Sequence, residues 1–489
     1  MKKKIPVGRI VLCIVSFLSY LAFFAAHWYT EKYGDTGFMS IISTFMSPWT
    51  GCANSLKESY LLHGLLPTVI ATVVTAVALF MPWRIRGFSL KRGQATAASL
   101  ILSLIFTSWA AGMVHFPAFV YNSFLTTGTL YEEEYVDPAQ VNIQFPEKKR
   151  NLVYIYLESM ETSFLSQDLG GGSEENLIPE LYNLAKENIN FSHNEDVGGW
   201  PRITHTTWTS AAMVAQTSGV PLTVNISSID LNNFQGYLPG ATTLNDILRE
   251  EGYAQALMVG SDASFGGRKE YFSLHGVDRV YDLYTAREEG VIPEDYMVWW
   301  GFEDARLFDY AKDKITDLSK GEQPFAFTML TVDTHHIDGY RCPDCENQHG
   351  EKYENVLSCS SRKVANFVAW LQQQDFYENT TVVVCGDHPS MDNQYFVRNI
   401  DKDYERHVYN CFINSAVSPE RTTNRLFTPM DLFPSTLAAM GCTIEGERLG
   451  LGTNLFSAQD TLAERMGLPA LNKEISKRSE YYNESLIGE

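Results

Sequence analysis

The chain has 489 residues, a formal net charge of −20, and 45% hydrophobic residues. That length allows two or three separately packed units, and the acidic balance argues against nucleic acid as a partner because phosphate neutralisation needs a basic face. The charge is uneven, since residues 1–130 carry ten Lys and Arg against three Asp and Glu, or +7, which leaves −27 for residues 131–489. An anionic substrate of the acidic part must therefore meet a local positive charge, such as a bound cation.

Three apolar stretches near the N-terminus are each long enough to cross a bilayer, which takes about 20 residues. They are Ile10–Ala26, Leu61–Trp83 and Ala95 to about Val114. A cleaved signal peptide is the alternative for the first stretch. However, no clear cleavage site follows it, and it is followed by two more apolar stretches. Lys and Arg precede the first stretch and fill the link between the second and third, which places both clusters in the cytoplasm. We predict a multi-pass plasma-membrane anchor over residues 1–120, with the rest of the chain extracytoplasmic.

After the anchor, the sequence predicts a connector, a folded domain and a tail. Residues 121–150 are charged and interrupted by proline, which is typical of a juxtamembrane connector. Predicted strands are Asn151–Leu157, Asn188–Phe191, Ala254–Val259, Pro324–Val332, Thr380–Cys385 and Val408–Ile413, and predicted helices are Leu177–Lys186, Ala241–Glu251, Arg362–Gln373 and Asp431–Met440. This alternation predicts an α/β domain over residues 151–457, with a mostly parallel sheet covered by helices on both faces. Residues 458–489 read as a polar, peripheral tail.

Three of the eight cysteines fall in one region that reads as a loop, RCPDCENQHGEKYENVLSC. A CxxC with a third cysteine is compatible with zinc, but no second CxxC follows. An exported loop favours a disulfide instead. We expect one bridge from Cys342 or Cys345 to Cys359, with the pairing left open.

Polar residues follow several predicted strands. The most informative string is VVCGDHP, in which an apolar run ends at Gly386 and is followed by Asp387 and His388. Glu158 follows the strand of IYLES, and Asp333 to His336 follow that of TMLTV. Ligands in open α/β sheets gather at the carboxyl ends of strands. Taken singly, each of these residues also fits an ordinary polar loop.

A threonine completes this set. Thr209 opens a helix-like run of small residues in WTSAAMVAQTSGVPL, where the plain alternative is a helix N-cap. Two carboxylates, one imidazole and one hydroxyl are ligands that a divalent cation can share. Metal coordination favours the alkoxide form of an alcohol and neutralises a phosphoryl group under attack. The set therefore predicts phosphoryl transfer through a covalent phospho-threonine.

The motifs and their order, LES, WTSAAM, DTHH and GDHP, resemble the alkaline phosphatase/sulfatase superfamily. Within it, the chain is most similar to membrane-anchored phosphoglycerol transferases, which include lipoteichoic acid synthase and the enzymes that modify periplasmic or osmoregulated glucans. The similarity covers about residues 150–456 and continues through DLFPSTLAAMG and RLGLGTNLF. It implies an alkaline phosphatase-like fold.

The resemblance also implies roles for individual residues. The implied metal ligands are Glu158, Thr209, Asp387 and His388, with Thr209 also the nucleophile. The implied metal is most often Mn²⁺, with Mg²⁺ and Zn²⁺ as alternatives. Arg268 corresponds to an arginine that contacts the glycerol phosphate, although Gly266 stands where that family has a tryptophan just before it. His335 corresponds to a substrate-contacting histidine, with His336 as the alternative.

Neighbouring hydroxyls compete with Thr209 for the nucleophile role. They are those of Thr206, Thr207 and Ser210. We favour Thr209 because the helix of small residues follows it directly and the family block aligns there.

The implied function is transfer of glycerol phosphate from phosphatidylglycerol to a hydroxyl of a cell-surface glycan or polymer. A phosphoethanolamine transferase on the same scaffold is the nearest alternative. A sulfatase is disfavoured because the chain lacks a CxPxR motif. A non-catalytic membrane scaffold is the alternative from another class, although decay of the site would be expected to remove at least one ligand.

Overall fold

The structure is a computed structural model that describes residues 7–34, 37–46, 54–81, 83–85, 88–90, 92–223 and 237–488. It divides into two compact units. The first comprises Met1–Phe38 and Cys52–Tyr121, and the second comprises Met39–Gly51 and Asn122–Glu489.

The first unit is helical and apolar. Its helices are Val7–Tyr33, Asn54–Tyr60, Leu66–Phe80, Arg92–Met113 and Phe116–Val120, and Trp83–Ile85 pairs with Phe88–Leu90 as a short hairpin. Among the described residues, three helical stretches are long and apolar enough to cross a membrane, namely Val7–Tyr33, Leu56–Phe80 and Gly93–Met113. Each overlaps one of the three stretches expected from the sequence. The side chains of Ser16 and Ser103 hydrogen bond at 2.9 Å between two of these helices, a contact typical of helices that pack in lipid.

The second unit is built on a seven-stranded sheet. Its strands in chain order are β1 (Asn151–Leu157), β2 (Gly199–Pro201), β3 (Ala254–Val259), β4 (Arg279–Tyr281), β5 (Phe325–Leu330), β6 (Thr380–Gly386) and β7 (His407–Ile413). They lie side by side in the order β2-β7-β6-β1-β5-β3-β4. Within this sheet β7 is antiparallel to both of its neighbours, and the pairs among β6, β1, β5, β3 and β4 are parallel. The predicted mostly parallel α/β fold is confirmed.

Helices cover the sheet and bury its central strands. They are Pro179–Glu187, Thr209–Ser218, Leu244–Glu250, Arg268–Leu274, Leu283–Glu288, Asp304–Ser319, Lys352–Leu371, Asn393–Asn399 and Leu432–Ala439. Every residue of β1, β5, β6 and β7 is buried. The continuous runs of Val, Ile and Tyr in these strands follow from this, because a strand covered on both faces has no side that water reaches.

Five of the six predicted strands are present within one or two residues of their expected bounds. The exception is Asn188–Phe191, which forms only a single bridge from Ile189 to Phe412. The helix predicted at Arg362–Gln373 begins ten residues earlier, at Lys352. Its N-terminal half is rich in Ser, Asn and Cys, and these buried residues hide the apolar period of the helix.

The expected connector and tail are both structured. Ile143–Gln144 pairs with Thr443–Ile444, and the helix Leu130–Glu134 lies in the same segment. After residue 457, helices span Leu462–Met466 and Leu468–Ile475, and apolar side chains of this region are buried, among them Leu462, Leu471 and Leu486. The expectation of a peripheral polar tail was therefore wrong, because a few spaced apolar residues anchor an otherwise polar segment.

The cysteine region also differs from expectation. Cys359 lies in the helix Lys352–Leu371 rather than in a loop. Cys342, Cys345 and Cys359 are all free thiols and all buried. The structure therefore contains no bridge of the kind expected among these three residues.

Candidate active site

The site lies where two neighbouring parallel strands end. Leu157 of β1 is in register with Gly386 of β6, so Glu158 and Asp387 leave the sheet side by side. Gly386 is required here by close approach rather than by a sharp turn, since a Cβ atom at this position would lie 2.1 Å from the carbonyl oxygen of Met160. The glycine thus lets the chain after β1 pass directly against β6.

Thr209 faces these two strand ends from the start of a helix. The helix Thr209–Ser218 has Trp208 as its N-cap residue, and no side chain caps it. Instead of capping, the Thr209 hydroxyl lies 3.3 Å from Glu158 Oε2 and 3.3 Å from His388 Nε2. Thr209 is partly exposed, whereas Glu158, Asp387 and His388 are at most 2% exposed. Thr209 is therefore the most accessible residue of the cluster.

The ring of His388 is oriented by its own backbone. His388 Nδ1 lies 2.9 Å from the carbonyl oxygen of Pro389, and because a carbonyl only accepts, Nδ1 carries the proton. In the neutral ring Nε2 then presents its lone pair toward the cluster. Nε2 lies 3.3 Å from Asp387 Oδ2 and 3.7 Å from Glu158 Oε1.

Ser159 holds both carboxylates, a role that the sequence did not predict. Its backbone N–H donates to Asp387 Oδ1 at 2.8 Å, and its hydroxyl donates to Glu158 Oε1 at 2.7 Å. Asp387 Oδ1 also accepts from the N–H of His388 at 2.7 Å. Ser159 adopts a φ of 56°, in the left-handed region that residues other than glycine rarely adopt. Such strain clusters at functional sites, but it cannot be read from an LES string.

The electrostatics of the cluster reflect two buried carboxylates facing one another. Burial, reinforced by the charge of Glu158, raises the pKa of Asp387 to about 7. Burial also opposes ionisation of Glu158, but the charges of His335 and His388 and the hydrogen bond from Ser159 outweigh it and lower the pKa of Glu158. The pKa of His388 is raised because the two carboxylates outweigh its burial. A cation among these groups would relieve the repulsion between the carboxylates.

The donor set fits a divalent metal ion. One ligand atom from each of Glu158, Asp387 and His388 lies within 4.8 Å of the others. Asp387 Oδ2 is buried and has no hydrogen-bond partner among the described residues, which is costly unless the oxygen has another ligand. Two carboxylates with an imidazole nitrogen and a hydroxyl nearby form the mixed oxygen and nitrogen set that such ions take.

Arg268 is buried beside this cluster. Its Nη2 donates to Ser261 Oγ at 3.1 Å and to the carbonyl oxygen of Asp262 at 2.7 Å. Its Nε is buried without a hydrogen-bond partner among the described residues. Burial lowers the pKa of Arg268, while the charges of Glu158, Asp262 and Asp387 oppose that effect. The guanidinium is thus the nearby positive charge that the acidic domain was expected to need.

The loop before Arg268 explains why tryptophan is absent there. Gly266 has a φ of 66°, and a Cβ atom at this position would lie 2.6 Å from Ser210 Oγ. A large side chain is therefore excluded. Trp300 supplies an aromatic ring in the same neighbourhood, with its centroid 5.3 Å from that of Phe265 and 4.4 Å from that of His335.

His335 and His336 are adjacent but differ in exposure. His335 is partly exposed, and its Nδ1 lies 2.8 Å from the carbonyl oxygen of His336, so Nδ1 carries the proton and Nε2 is left for another contact. His336 is buried, and burial lowers its pKa well below the usual value. Thr334, which precedes the pair, donates to the carbonyl oxygen of Glu158 at 2.6 Å and fixes this loop to the end of β1.

The competing hydroxyls are less well placed than that of Thr209. The hydroxyl of Thr206 donates to the carbonyl oxygen of Ile203 at 3.0 Å. Thr206, Thr207 and Ser210 are all buried. The structure thus brings Glu158, Thr209, Asp387 and His388 together, with Arg268 and His335 beside them.

Comparisons with known proteins agree with this geometry. The sulfatase family model matches residues 150–442. Phosphoglycerol transferase I of Xanthomonas euvesicatoria pv. vesicatoria (strain 85-10) is 32% identical over 305 residues, which are 60% of this chain and 41% of that protein. Phosphoglycerol transferase I of Salmonella choleraesuis (strain SC-B67) is 31% identical over 336 residues, 66% of this chain and 41% of that protein. The chain thus spans less than half the length of either relative.

Two solved structures share the fold. The lipoteichoic acid synthase LtaP from Listeria monocytogenes superposes with a TM-score of 0.51 at 16% identity, covering 65% of this chain and 79% of that chain. The integral membrane lipooligosaccharide phosphoethanolamine transferase A from Neisseria meningitidis superposes with a TM-score of 0.52 at 12% identity, covering 90% of this chain and 85% of that chain. The resemblance to the alkaline phosphatase/sulfatase superfamily is confirmed.

Proposed function

The chain belongs to the sulfatase family, and from that premise we propose that it is a metal-dependent phosphoglycerol transferase. It would move glycerol phosphate from phosphatidylglycerol to a hydroxyl of a cell-surface glycan or polymer. The observation that carries this proposal is that the hydroxyl of Thr209, a partly exposed residue, lies 3.3 Å from both Glu158 Oε2 and His388 Nε2 at the end of the sheet. The similarity to proteins named phosphoglycerol transferase I supports the choice of headgroup.

The metal would be held by Glu158, Asp387 and His388, with the Thr209 oxygen beside them. When bound, a divalent ion favours the alkoxide form of an alcohol and neutralises charge on a phosphoryl group. We favour Mn²⁺ on the family resemblance, with Mg²⁺ and Zn²⁺ as alternatives. The lone pair of His388 Nε2 is available because Nδ1 is committed to the Pro389 carbonyl.

Thr209 would act as the nucleophile in two displacements. In the first, Thr209 Oγ1 forms a bond to phosphorus and the bond from phosphorus to the diacylglycerol oxygen breaks. Diacylglycerol leaves with a proton that balances the one lost by Thr209. In the second, the acceptor oxygen bonds to phosphorus, the bond to Thr209 Oγ1 breaks, and the proton of the acceptor hydroxyl restores Thr209.

Arg268 and His335 would bind the headgroup. The unpartnered Nε of Arg268 is a charge-assisted donor suited to a phosphate or glycerol oxygen. His335 presents Nε2 from a loop that is tied to Glu158 through Thr334. Both side chains act on Glu158 electrostatically, which places them near the carboxylate that contacts the Thr209 hydroxyl.

The helical unit would anchor the enzyme in the plasma membrane. The three apolar helices cross the bilayer in this proposal, and the site faces the extracytoplasmic side, where the surface glycan is. Because the donor is itself a lipid, anchoring raises its concentration at the site.

The test of the proposal compares two radiolabelled donors with the full-length protein in vesicles. Phosphatidylglycerol labelled in its glycerol headgroup should transfer label to the acceptor or release it, and Thr209→Ala should abolish this. Phosphatidylethanolamine labelled in its headgroup should remain intact. Turnover of the second lipid alone would establish the phosphoethanolamine alternative.

Measuring the metal content of the purified protein distinguishes an enzyme from a non-catalytic scaffold. The purified protein should contain a divalent metal that Asp387→Asn reduces, because the substitution removes one charged ligand. A scaffold should show the same metal content with and without the substitution.

A further inference from the structure

Three buried cysteines converge in the second unit, outside the candidate active site. Cys342 and Cys345 lie in the CPDC turn, and Cys359 lies in the helix Lys352–Leu371. Their sulfur atoms all lie within 4.8 Å of one another, and those of Cys342 and Cys345 are 3.4 Å apart. Each residue is at most 4% exposed.

A backbone turn brings the sulfurs of Cys342 and Cys345 together. The N–H of Cys345 donates to the carbonyl oxygen of Cys342 at 3.1 Å, which closes a tight turn over Pro343 and Asp344. Pro343 favours this turn because its ring fixes φ near the value that the second turn position needs. A CxxC turn of this kind supplies paired thiolates in many zinc sites.

The spacing of the three sulfurs suits a shared ion better than a disulfide. Around a tetrahedral zinc with bonds of about 2.3 Å, sulfurs stand roughly 3.8 Å apart. In this cluster one pair is 3.4 Å apart and all three sulfurs lie within 4.8 Å of one another. A disulfide would join two of the sulfurs and leave the third as a buried, idle thiol. Lys363 adds a positive charge, since its Nζ lies 3.0 Å from Cys342 Sγ, and a nearby cation favours the thiolate.

We propose that Cys342, Cys345 and Cys359 bind one divalent ion of the zinc class through three thiolates, as a second metal site separate from the oxygen-rich one. Each sulfur binds as a thiolate, so binding releases the protons of those that are thiols and needs no oxidant. Because no fourth His, Cys, Asp or Glu belongs to this cluster in the described part of the chain, a water molecule completes the four ligands.

The ion would fix the loop that carries His335. Lys363 donates to Cys342 Sγ and also to Asp333 Oδ2 at 2.9 Å, so one side chain joins the cysteine cluster to the start of that loop. The N–H of Tyr340 donates to the carbonyl oxygen of Asp333 at 2.6 Å and closes the loop on itself. The site thus has a structural role beside the headgroup-binding histidine.

The test measures zinc in the full-length protein purified with the Asp387→Asn substitution, which weakens the oxygen-rich site. This protein should hold one equivalent of zinc, and adding Cys359→Ser should remove it. Cys411→Ser is the matched control, because Cys411 is equally buried in β7 and donates to the Leu184 carbonyl. The control should keep the zinc, and its loss there would overturn the proposal.

A second measurement does not depend on the folding of a variant. Metal-depleted full-length protein titrated with Co²⁺ should show the intense near-ultraviolet bands of thiolate-to-metal charge transfer, and one equivalent of Zn²⁺ should remove them. Absence of these bands would show that the thiols do not bind the metal and would overturn the proposal. An intact mass lighter by two hydrogens with no zinc bound would establish a disulfide and overturn it as well. Neither result depends on which lipid the enzyme uses.

Discussion

At the scale of single residues, the candidate site depends on the proposed metal ligands and also on the residues that donate hydrogen bonds to them. Ser159 donates from its backbone to Asp387 and from its hydroxyl to Glu158. Hydrogen-bonded partners of this kind orient metal ligands and tune their charge. A substitution that removes the Ser159 hydroxyl but keeps its backbone N–H separates the contact with Glu158 from the contact with Asp387.

We expect Ser159→Ala to weaken metal binding by about 10- to 100-fold, because Glu158 loses the donor that fixes Oε1. The measurement is metal affinity by titration of the full-length protein. Ser163→Ala is the control, since the hydroxyl of Ser163 makes a similar 2.7 Å bond to a carboxylate, that of Glu161, which is not one of the four proposed ligands. Equal affinities in Ser159→Ala and the unsubstituted protein would refute this positioning role.

The sequence could predict the identities of the converging residues but not their supporting contacts. Glu158 and Asp387 were predictable because each follows an apolar run that ends at the same edge of a parallel sheet. The left-handed conformation of Ser159 and the Nδ1 contact of His388 depend on the backbone path, which no side-chain pattern records. The need for glycine at position 386 could not be predicted either, because the collision that it avoids is with Met160, far from it in sequence.

At the scale of elements, the end of β6 can pack against the chain after β1 only because Gly386 has no side chain. Gly386→Ala would place a Cβ 2.1 Å from a backbone oxygen, so one of the two segments must move. We expect a loss of about 1–3 kcal/mol in the free energy of unfolding, together with reduced metal binding because Asp387 follows directly. Chemical denaturation measures the first effect and metal titration the second.

Gly350→Ala is the matched control for this substitution, because nothing lies within 4 Å of the Cβ that it would add. It should leave both measurements unchanged. If the two alanine variants behave alike, close packing is not what requires glycine at position 386.

The C-terminal helices are held by a buried ion pair. Arg425 is fully buried, and its Nε donates to Glu464 Oε1 at 2.8 Å. Burial of Glu464 opposes its charge, but the bond from Arg425 outweighs that effect and lowers the pKa of Glu464. The stabilisation is therefore present above the usual glutamate pKa and is lost as the pH falls through the lower folded-state value.

We expect Glu464→Gln to reduce the free energy of unfolding by about 3 kcal/mol near pH 7, because a buried arginine loses its partner. The difference from the unsubstituted protein should shrink as the pH falls below about 4. Urea denaturation across this range measures it. Glu474→Gln is the control, since its pair with Lys477 is more exposed and should contribute about 0–1 kcal/mol. A difference that is constant with pH would contradict the assignment.

The elements that the sequence did not predict are those without a strong pattern. The strands Gly199–Pro201 and Arg279–Tyr281 have three residues each, too few for a period to show. The C-terminal helices have only a few apolar residues each, and of these Leu462, Leu471 and Ile475 are buried by tertiary contacts. Long apolar runs such as Thr380–Gly386 are recognisable because burial on both faces leaves a continuous signature.

At the scale of the whole molecule, the proposal joins an apolar helical unit to a catalytic unit because the donor is a lipid. We expect removal of residues 1–121 to reduce turnover of phosphatidylglycerol in vesicles by about 100-fold or more. Turnover of dispersed short-chain phosphatidylglycerol should be unchanged, since the site residues all lie in the second unit. Equal losses on both substrates would show that residues 1–121, which include the Met39–Gly51 part of the second unit, do more than tether.

In the proposed mechanism, Thr209 carries the glycerophosphoryl group between donor and acceptor. The most direct test of this role is intact-mass and peptide analysis of the full-length protein after incubation with phosphatidylglycerol without acceptor. We predict a mass gain of one glycerophosphoryl group located on Thr209, absent from Thr209→Ala and discharged when acceptor is added. Release of diacylglycerol with no adduct at any time, or an adduct on a different residue, would contradict the account.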